Sequence, residues 1–307
     1  MRPAALFRRP YLEIRARVRA FVVKRPLLDN TVGRMLVRAD ALLRGKGIIS
    51  LLDSSTVEFS FQGLTFQFDK ANRQIAEAVV STGTYEPETV ESLTKLLQPG
   101  DTFVDLGANI GIFTLLAARK VGTTGRVFAF EPTPATVALL RRNLAVNSLE
   151  ARTTVVEQAV SRKPGRARFS LHEAAQGNAI TVAGDTAVEY LDVDVTSLDA
   201  YFEALGWPKV DVIKMDVEGQ EVPALEGMHG LTRRYPGLKL IFEYHGGQLA
   251  RTGISGRTLI DAARAAGFDS FEVLFRTSQR LELPADMPVL DRLTKRAAFN
   301  ILAWRAH

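Results

Sequence analysis

The sequence contains no cysteine among its 307 residues. That absence removes disulfides, thiolate metal sites and every mechanism that relies on a cysteine nucleophile. Long apolar runs are missing as well. Stretches such as Ile110 to Ala118 are soon interrupted by Gly or charge, and none approaches the roughly 20 residues that a bilayer-spanning helix needs. The basic first residues lead into Arg8, Arg9, Glu13 and Arg15 rather than into the apolar core of a secretory signal. A cytoplasmic setting is therefore the expectation. What the chain does contain, 46% hydrophobic and 24% charged residues, is the balance of a chain that buries a core, and it excludes disorder and fibrous repeats.

Charge is unevenly placed. Residues 1–46 carry 12 Lys and Arg against 3 acids, whereas the other 261 residues carry 27 against 31. The net charge of +5 thus conceals a basic N-terminal segment on a slightly acidic body. Such a segment is drawn to anionic surfaces, so peripheral contact of residues 1–46 with the inner face of a membrane or with an acidic glycan carrier is the expectation. Phe7, Tyr11 and Phe21 are its few aromatics, too sparse for a stacking platform, and nucleic acid is not expected as a partner.

Periodicity organises the rest. Between Tyr11 and Arg25 the lack of Gly and Pro and the helix-favouring Ala, Leu and Arg predict a helix, although Leu12, Ile14, Ala16, Val18 and Ala20 also alternate as in a strand. The spacing of Val32, Met35, Leu36, Ala39, Leu42 and Leu43 predicts a helix over 31–44. Val57, Phe59 and Phe61, then Leu64, Phe66 and Phe68, alternate with polar residues about Gln62-Gly63, the signature of a β-hairpin. From Pro87 onward apolar strands alternate with helices. Strands are predicted at 102–106, 126–130, 153–160, 210–215, 238–244, 270–275 and 298–304. Helices are predicted from Pro87 to before Pro99 and over 109–120, 134–147, 222–235 and 256–266. The alternation predicts a mostly parallel sheet covered on both faces, with ligands at the carboxyl ends of its strands. A Gly-, Asn- and Ala-rich stretch at 174–187 interrupts it, as a substrate lid or a plain surface loop. The expected division is a basic extension over 1–80 and a catalytic domain over 81–307.

Two signals carry chemistry. The first predicted strand ends in Asp105-Leu-Gly107-Ala-Asn109-Ile-Gly111 and runs into a helix, where glycines permit a tight turn and close approach of a ligand to helix N–H groups. Asn109 stands where a dinucleotide fingerprint has its second glycine, which disfavours a nicotinamide-dependent oxidoreductase, the main competing enzyme class. The second strand ends in Ala129-Phe-Glu131-Pro132, and an acid there can accept hydrogen bonds from two vicinal ribose hydroxyls.

These two runs follow Tyr85-Glu86-Pro87. They precede the helix end Arg142-Asn143-Leu144-Ala145-Val146-Asn147, then Gln158-Ala159-Val160, Ser197-Leu198-Asp199 and Ile213-Lys-Met-Asp-Val-Glu-Gly-Gln-Glu221. In that order, over about residues 84–245, the chain resembles the FkbM family of S-adenosylmethionine-dependent methyltransferases. The resemblance implies an α/β fold with a Rossmann-like, seven-stranded class I methyltransferase sheet, mostly parallel with an antiparallel C-terminal strand. It also implies S-adenosylmethionine as cofactor, and methyl transfer to a hydroxyl of a sugar, glycan or small natural product. It puts Asp105, Gly107, Asn109 and Gly111 around the methionine part of the cofactor, Glu131 on its ribose, and Gln158 and Ala159 beside its adenine. A catalytically silent methyltransferase-like binding module is the third reading, resting on the basic segment.

Methyl transfer to oxygen needs a positioned acceptor and a group to take its proton. Spacing of two puts Lys214, Asp216 and Glu218 on one face of the fourth strand, and Glu243 and His245 on one face of the fifth. His245 is the first candidate base, with Asp216 next, Glu243 as its support or substitute, and Lys214 as a partner of Asp216 or Glu243. Asp216, Glu218 and Glu243 could alternatively hold a hard divalent cation, but three acids at strand ends are more often a solvated rim, and no metal is expected.

Overall fold

A computed structural model of the chain describes residues 49–51, 57–68, 75, 79, 84–171, 179–180, 189–275, 279–283, 286–294 and 298–306. The chain divides into two compact units, Met1–Ala76 and Glu77–His307. The helices expected over 11–25 and 31–44 lie outside the described residues, as does most of the stretch at 174–187.

In the first unit, β1 (Ile49–Leu51), β2 (Val57–Phe61) and β3 (Leu64–Phe68) form an antiparallel sheet in that order. Gln62 and Gly63 join β2 to β3 with φ of 52° and 75°, the two-residue turn whose twist matches that of the flanking strands. Alternation then puts Phe59, Phe61, Leu64, Phe66 and Phe68 on one face, and all five are buried.

In the second unit, α1 (Pro87–Leu96) is followed by β4 (Thr102–Leu106), α2 (Ile112–Val121), β5 (Arg126–Phe130), α3 (Pro134–Val146) and β6 (Thr153–Val156). Next come β7 (Ala159–Val160), β8 (Gly165–Leu171), β9 (Ala179–Ile180), β10 (Glu189–Thr196) and α4 (Leu198–Ala204). Then follow β11 (Val212–Met215), α5 (Glu221–Glu226), α6 (His229–Arg234), β12 (Lys239–Tyr244), α7 (Gly246–Thr252) and α8 (Gly256–Ala265). β13 (Ser270–Leu274), β14 (Gln279–Leu281), α9 (Met287–Thr294) and β15 (Phe299–Trp304) complete the chain.

The main sheet has the order β14-β13-β15-β12-β11-β4-β5-β6. β12, β11, β4, β5 and β6 are parallel, and β15 runs antiparallel to both β12 and β13. The parallel strands are near-continuous apolar runs, with Phe103, Val104, Leu106, Val127, Ile213, Met215, Leu240 and Phe242 buried, because helices cover both faces. From β4 the chain proceeds outward through β5 and β6 and later returns on the other side through β11 and β12. That reversal opens a crevice at the carboxyl ends of β4 and β11.

Several boundaries differ from the sequence reading. The strand expected over 153–160 breaks at Glu157-Gln158, because β7 leaves the main sheet and pairs with β10 in a second sheet of order β7-β10-β8-β9. The helix expected over 222–235 is two, α5 and α6. The Asp199 carboxylate accepts hydrogen bonds from Gly230 N and Leu231 N at 2.7 and 2.8 Å, which starts a second helix where one continuous helix would bury those groups internally. β14 adds an eighth strand to the seven expected.

Candidate active site at the strand ends

β4 ends at Leu106, and the turn that follows is tied to β5: Gly107 N and Ala108 N donate to Phe130 O at 3.0 and 2.9 Å. Gly107 has φ 77°, and a Cβ there would lie 1.9 Å from the Asp216 carbonyl oxygen. Only glycine lets this turn close against the segment after β11. Gly111, with φ 96°, is pressed against α3, since a Cβ would lie 2.5 Å from Leu140 Cδ1 and 2.7 Å from Leu115 Cδ1. Asn109 is also left-handed, at φ 49°. Its own Oδ1 accepts from Ile110 N at 2.8 Å, a local bond that makes this conformation accessible to asparagine.

The Asn109 N–H donates to Glu131 Oε2 at 3.1 Å, and the Thr133 N–H donates to Glu131 Oε1 at 3.0 Å. Glu131 is buried. Burial raises its pKa, and the two backbone donors oppose that rise. The acid after β5 therefore clamps the β4 turn while each of its oxygens keeps a lone pair for a further donor. Gln158 is half-buried in the break after β6, and Ala159 is buried at the start of β7.

A buried polar row crosses the sheet. Strand register places Asp105 beside Lys214 and Lys214 beside Ile241. Two residues further along β12, Glu243 lies directly opposite Asn300, so Asp105, Lys214, Glu243 and Asn300 share one face. Lys214 is 2% exposed. Its Nζ donates to Asp216 Oδ2 at 2.9 Å and sits 4.7 Å from the centroid of the Phe113 ring. Burial disfavours its charge, but the carboxylates of Asp216, Glu86 and Asp105 outweigh burial and hold its pKa above the ordinary lysine value. Lys214 is a fixed cation. Asp105 Oδ2 accepts from Thr114 Oγ1 at 2.6 Å, and its buried Oδ1 has no hydrogen-bond partner among the described residues.

The carboxylates around this row are crowded. Burial, then the charges of Asp216 and Glu221, push Glu218 up to about 8 against the pull of Arg251 and Lys214. Glu218 Oε2 accepts from Gln248 Nε2. Glu221 Oε1 accepts from Val217 N and Gly219 N, both at 3.2 Å, and burial pushes its carboxyl up to about 7. Burial first, then Asp216, Glu218, Glu221 and Glu86, hold the Glu243 carboxyl well above the glutamate range. Its Oε2 is buried without a hydrogen-bond partner among the described residues. Among the described residues no group of three His, Cys, Asp or Glu is arranged to hold a metal ion.

His245 follows β12 and caps α7. Its Nδ1 accepts the Gln248 N–H at 3.2 Å, so in the neutral ring the proton resides on Nε2, which is a donor. Gly246 and Gly247 form the first turn of α7, and Gly246 N donates to Thr294 Oγ1 at 2.6 Å.

The structure adds residues that sequence reasoning left without a role. Glu86 caps α1 in a left-handed conformation, φ 39°, a costly state for a residue with a Cβ. Its Oε2 accepts from Asn300 Nδ2 at 2.8 Å, and the same amide donates to Thr89 Oγ1 at 2.9 Å. Tyr85 packs 5.9 Å from Phe113. Its pKa is raised by burial and by the charges of Glu86, Asp216 and Glu243. A polar Asn inside the apolar run Phe299–Trp304 was the available signal for Asn300.

A parallel sheet with β15 inserted antiparallel between β12 and β13, a glycine turn after β4 and a buried acid after β5 define the class I, S-adenosylmethionine-dependent methyltransferase fold. The chain belongs to the FkbM methyltransferase family, whose domain matches residues 105–270. It is 30% identical over 145 residues to the hexuronic acid methyltransferase AglP of Haloferax volcanii, a match covering 47% of this chain and 56% of that protein. It is 41% identical over 80 residues to the 31-O-demethyl-FK506 methyltransferase FkbM of Streptomyces tacrolimicus, covering 26% of this chain and 29% of that protein. "Methyltransferase 1" of Beauveria bassiana is 28% identical over 150 residues, 42% of this chain and 59% of that protein. The matches thus span less than two thirds of these relatives. Among solved structures, an O-methyltransferase of Thermotoga maritima superposes with a TM-score of 0.44 at 14% identity, covering 82% of this chain and 93% of that one. S-adenosylmethionine is the cofactor of the class, and the strand ends fit it. The buried Asp105 Oδ1 lacks a donor, and Glu131 presents two oxygens already oriented by backbone amides.

Proposed function

We propose that this chain transfers the methyl group of S-adenosylmethionine to a hydroxyl oxygen of a sugar, glycan or small natural product. The observation that carries the reading is the buried Glu131 carboxylate, oriented by Asn109 N and Thr133 N at the mouth of the β4 turn. In this reading Glu131 accepts the ribose hydroxyls, Asp105, Gly107 and Asn109 border the methionine part, Gln158 and Ala159 border the adenine, and Gly111 sets the helix behind the turn. The names of the relatives, one a hexuronic acid methyltransferase and one acting on a demethylated oxygen position, support an oxygen acceptor. Glu131→Ala is expected to weaken S-adenosylhomocysteine binding by about 1–3 kcal/mol, or roughly 5- to 150-fold, since charge-assisted bonds are lost and two loop amides lose their acceptor. Calorimetry with S-adenosylhomocysteine and, in parallel, NAD measures it. Unchanged affinity in the variant, or tighter binding of NAD by the parent, overturns the assignment.

The bound cofactor supplies an electrophilic methyl group, and the chain must align an acceptor oxygen with it and take up one proton. Glu243 is the proton acceptor in this reading. Its Oε2 has no competing donor, and a carboxylate whose affinity for protons is raised is a stronger base than an ordinary one. Asp216 is committed to Lys214, and His245 presents Nε2–H as a donor that can orient the acceptor. Glu243→Gln is expected to lower turnover by about 10² or more while leaving affinity for the uncharged S-adenosylhomocysteine intact. His245→Ala should cost chiefly the helix cap, about 1 kcal/mol in a denaturant melt. The acceptor comes from extracts of cells lacking the gene, incubated with methyl-labelled S-adenosylmethionine. Turnover of Glu243→Gln within threefold of the parent passes the role to Asp216.

A further inference from the structure

Asn300 is 6% exposed. Its Nδ2 is committed to Glu86 Oε2 and Thr89 Oγ1, which fixes the orientation of the amide and leaves Oδ1 buried without a donor. Directly opposite on the antiparallel partner strand stands Glu243, whose Oε2 is also buried without a donor. Side chains opposed in this way begin about 4.5–5.5 Å apart at Cβ. Two buried acceptors on directly opposed residues carry a desolvation cost that no donor among the described residues relieves. One proton relieves both, because a protonated carboxyl is a donor and Asn300 Oδ1 a ready acceptor.

The surroundings favour that proton. Asp216 and Glu218 after β11, Glu221 of α5, and Glu86 ahead of α1 all act on Glu243 as negative charges, and Tyr85 stands among them. Positive charge is limited. Lys214 is already paired with Asp216, and Arg251 of α7 acts on Glu218. On its own strand Tyr244 alternates to the other face, and His245, just past the strand, uses Nδ1 for the helix cap. A cation entering at the strand ends supplies the positive charge this cluster lacks, and it favours the ionised carboxylate.

Resting on the methyltransferase reading above, we propose that Glu243 and Asn300 share a proton in the cofactor-free protein. A cationic ligand at the strand ends expels that proton, leaving Glu243 as the carboxylate that receives the acceptor's proton. The step is balanced: the Glu243 O–H bond breaks, the proton passes to buffer, and the ligand's positive charge compensates the carboxylate. Asn300 is then a positioning residue, holding the acid neutral until the cofactor arrives.

S-adenosylmethionine carries a sulfonium charge that S-adenosylhomocysteine lacks, so the two ligands are the probes. Isothermal titration of each near neutral pH, in buffers of different ionisation enthalpy, counts the protons released. The parent is expected to release more protons with S-adenosylmethionine than with S-adenosylhomocysteine, by up to about one. In Glu243→Gln, where the amide replaces the neutral acid and can still donate to Asn300, the difference should vanish while binding persists. Glu243→Asp should retain part of it. Equal proton release by the two ligands in the parent, or a difference that survives Glu243→Gln, overturns the proposal and leaves the methyltransferase reading standing. Failure of both ligands to bind overturns both.

Discussion

Replacing Gly107 with alanine is expected to destabilise the second unit by roughly 3–5 kcal/mol, combining left-handed strain with overpacking against backbone. The residue sits at φ 77°, and the added Cβ would lie 1.9 Å from the carbonyl oxygen of Asp216. Neither atom can yield cheaply. Asp216 N is bonded to Leu106 O at 3.0 Å and Gly107 N to Phe130 O at 3.0 Å, so relief at one contact breaks another. Gly253→Ala is the matched control, with φ 69° and open space where the Cβ would go, and it should cost only about 1 kcal/mol. Denaturant melts of the two variants separate the steric part from the conformational part. Equal losses would mean that the turn after β4 has room to relax.

Lys214→Met is expected to cost about 3–5 kcal/mol, because it removes the cation from a buried pair and leaves acids unpaired. The parent's own contribution has a definite pH window. The folded-state pKa of Lys214 lies above its ordinary value, so its stabilisation is fully present at neutral pH and is lost only on the alkaline side. In the variant the acids govern. Burial already raises Glu86 and Asp105, and Lys214 opposes that rise. Without the lysine both are pushed higher, so folding is penalised above their unfolded pKa and the penalty fades as they protonate. The deficit should therefore be largest at and above neutral pH and shrink toward about pH 5. A deficit that grows on acidification would show that Lys214 does not hold these carboxylates.

Local patterns were legible wherever neighbours in sequence supply the interactions. The hairpin about Gln62-Gly63, and the strands Thr102–Leu106 and Arg126–Phe130, stand where alternation and turn chemistry put them. The glycine turn after β4 was legible too, since glycine spacing is a backbone requirement written in residue type. Legibility failed where a distant partner decides. The strand over 153–160 breaks because Val195 and Thr196 draw Ala159 and Val160 into another sheet. The helix over 222–235 divides because Asp199 lies across its middle. For His245, the first candidate base, the sequence did not show that Nδ1 accepts from the backbone of α7.

The sequence by itself determined the class of fold, the basic first segment and the acid that follows the second strand of the parallel sheet, because periodicity, charge and turn residues act within a few positions of one another. Only the tertiary structure decided what the polar residues do. Asp105, Lys214, Glu243 and Asn300 come from four strands spread over nearly 200 positions. Register alone brings them to one face, where burial makes every unpaired oxygen costly and raises the proton affinity of the carboxylates.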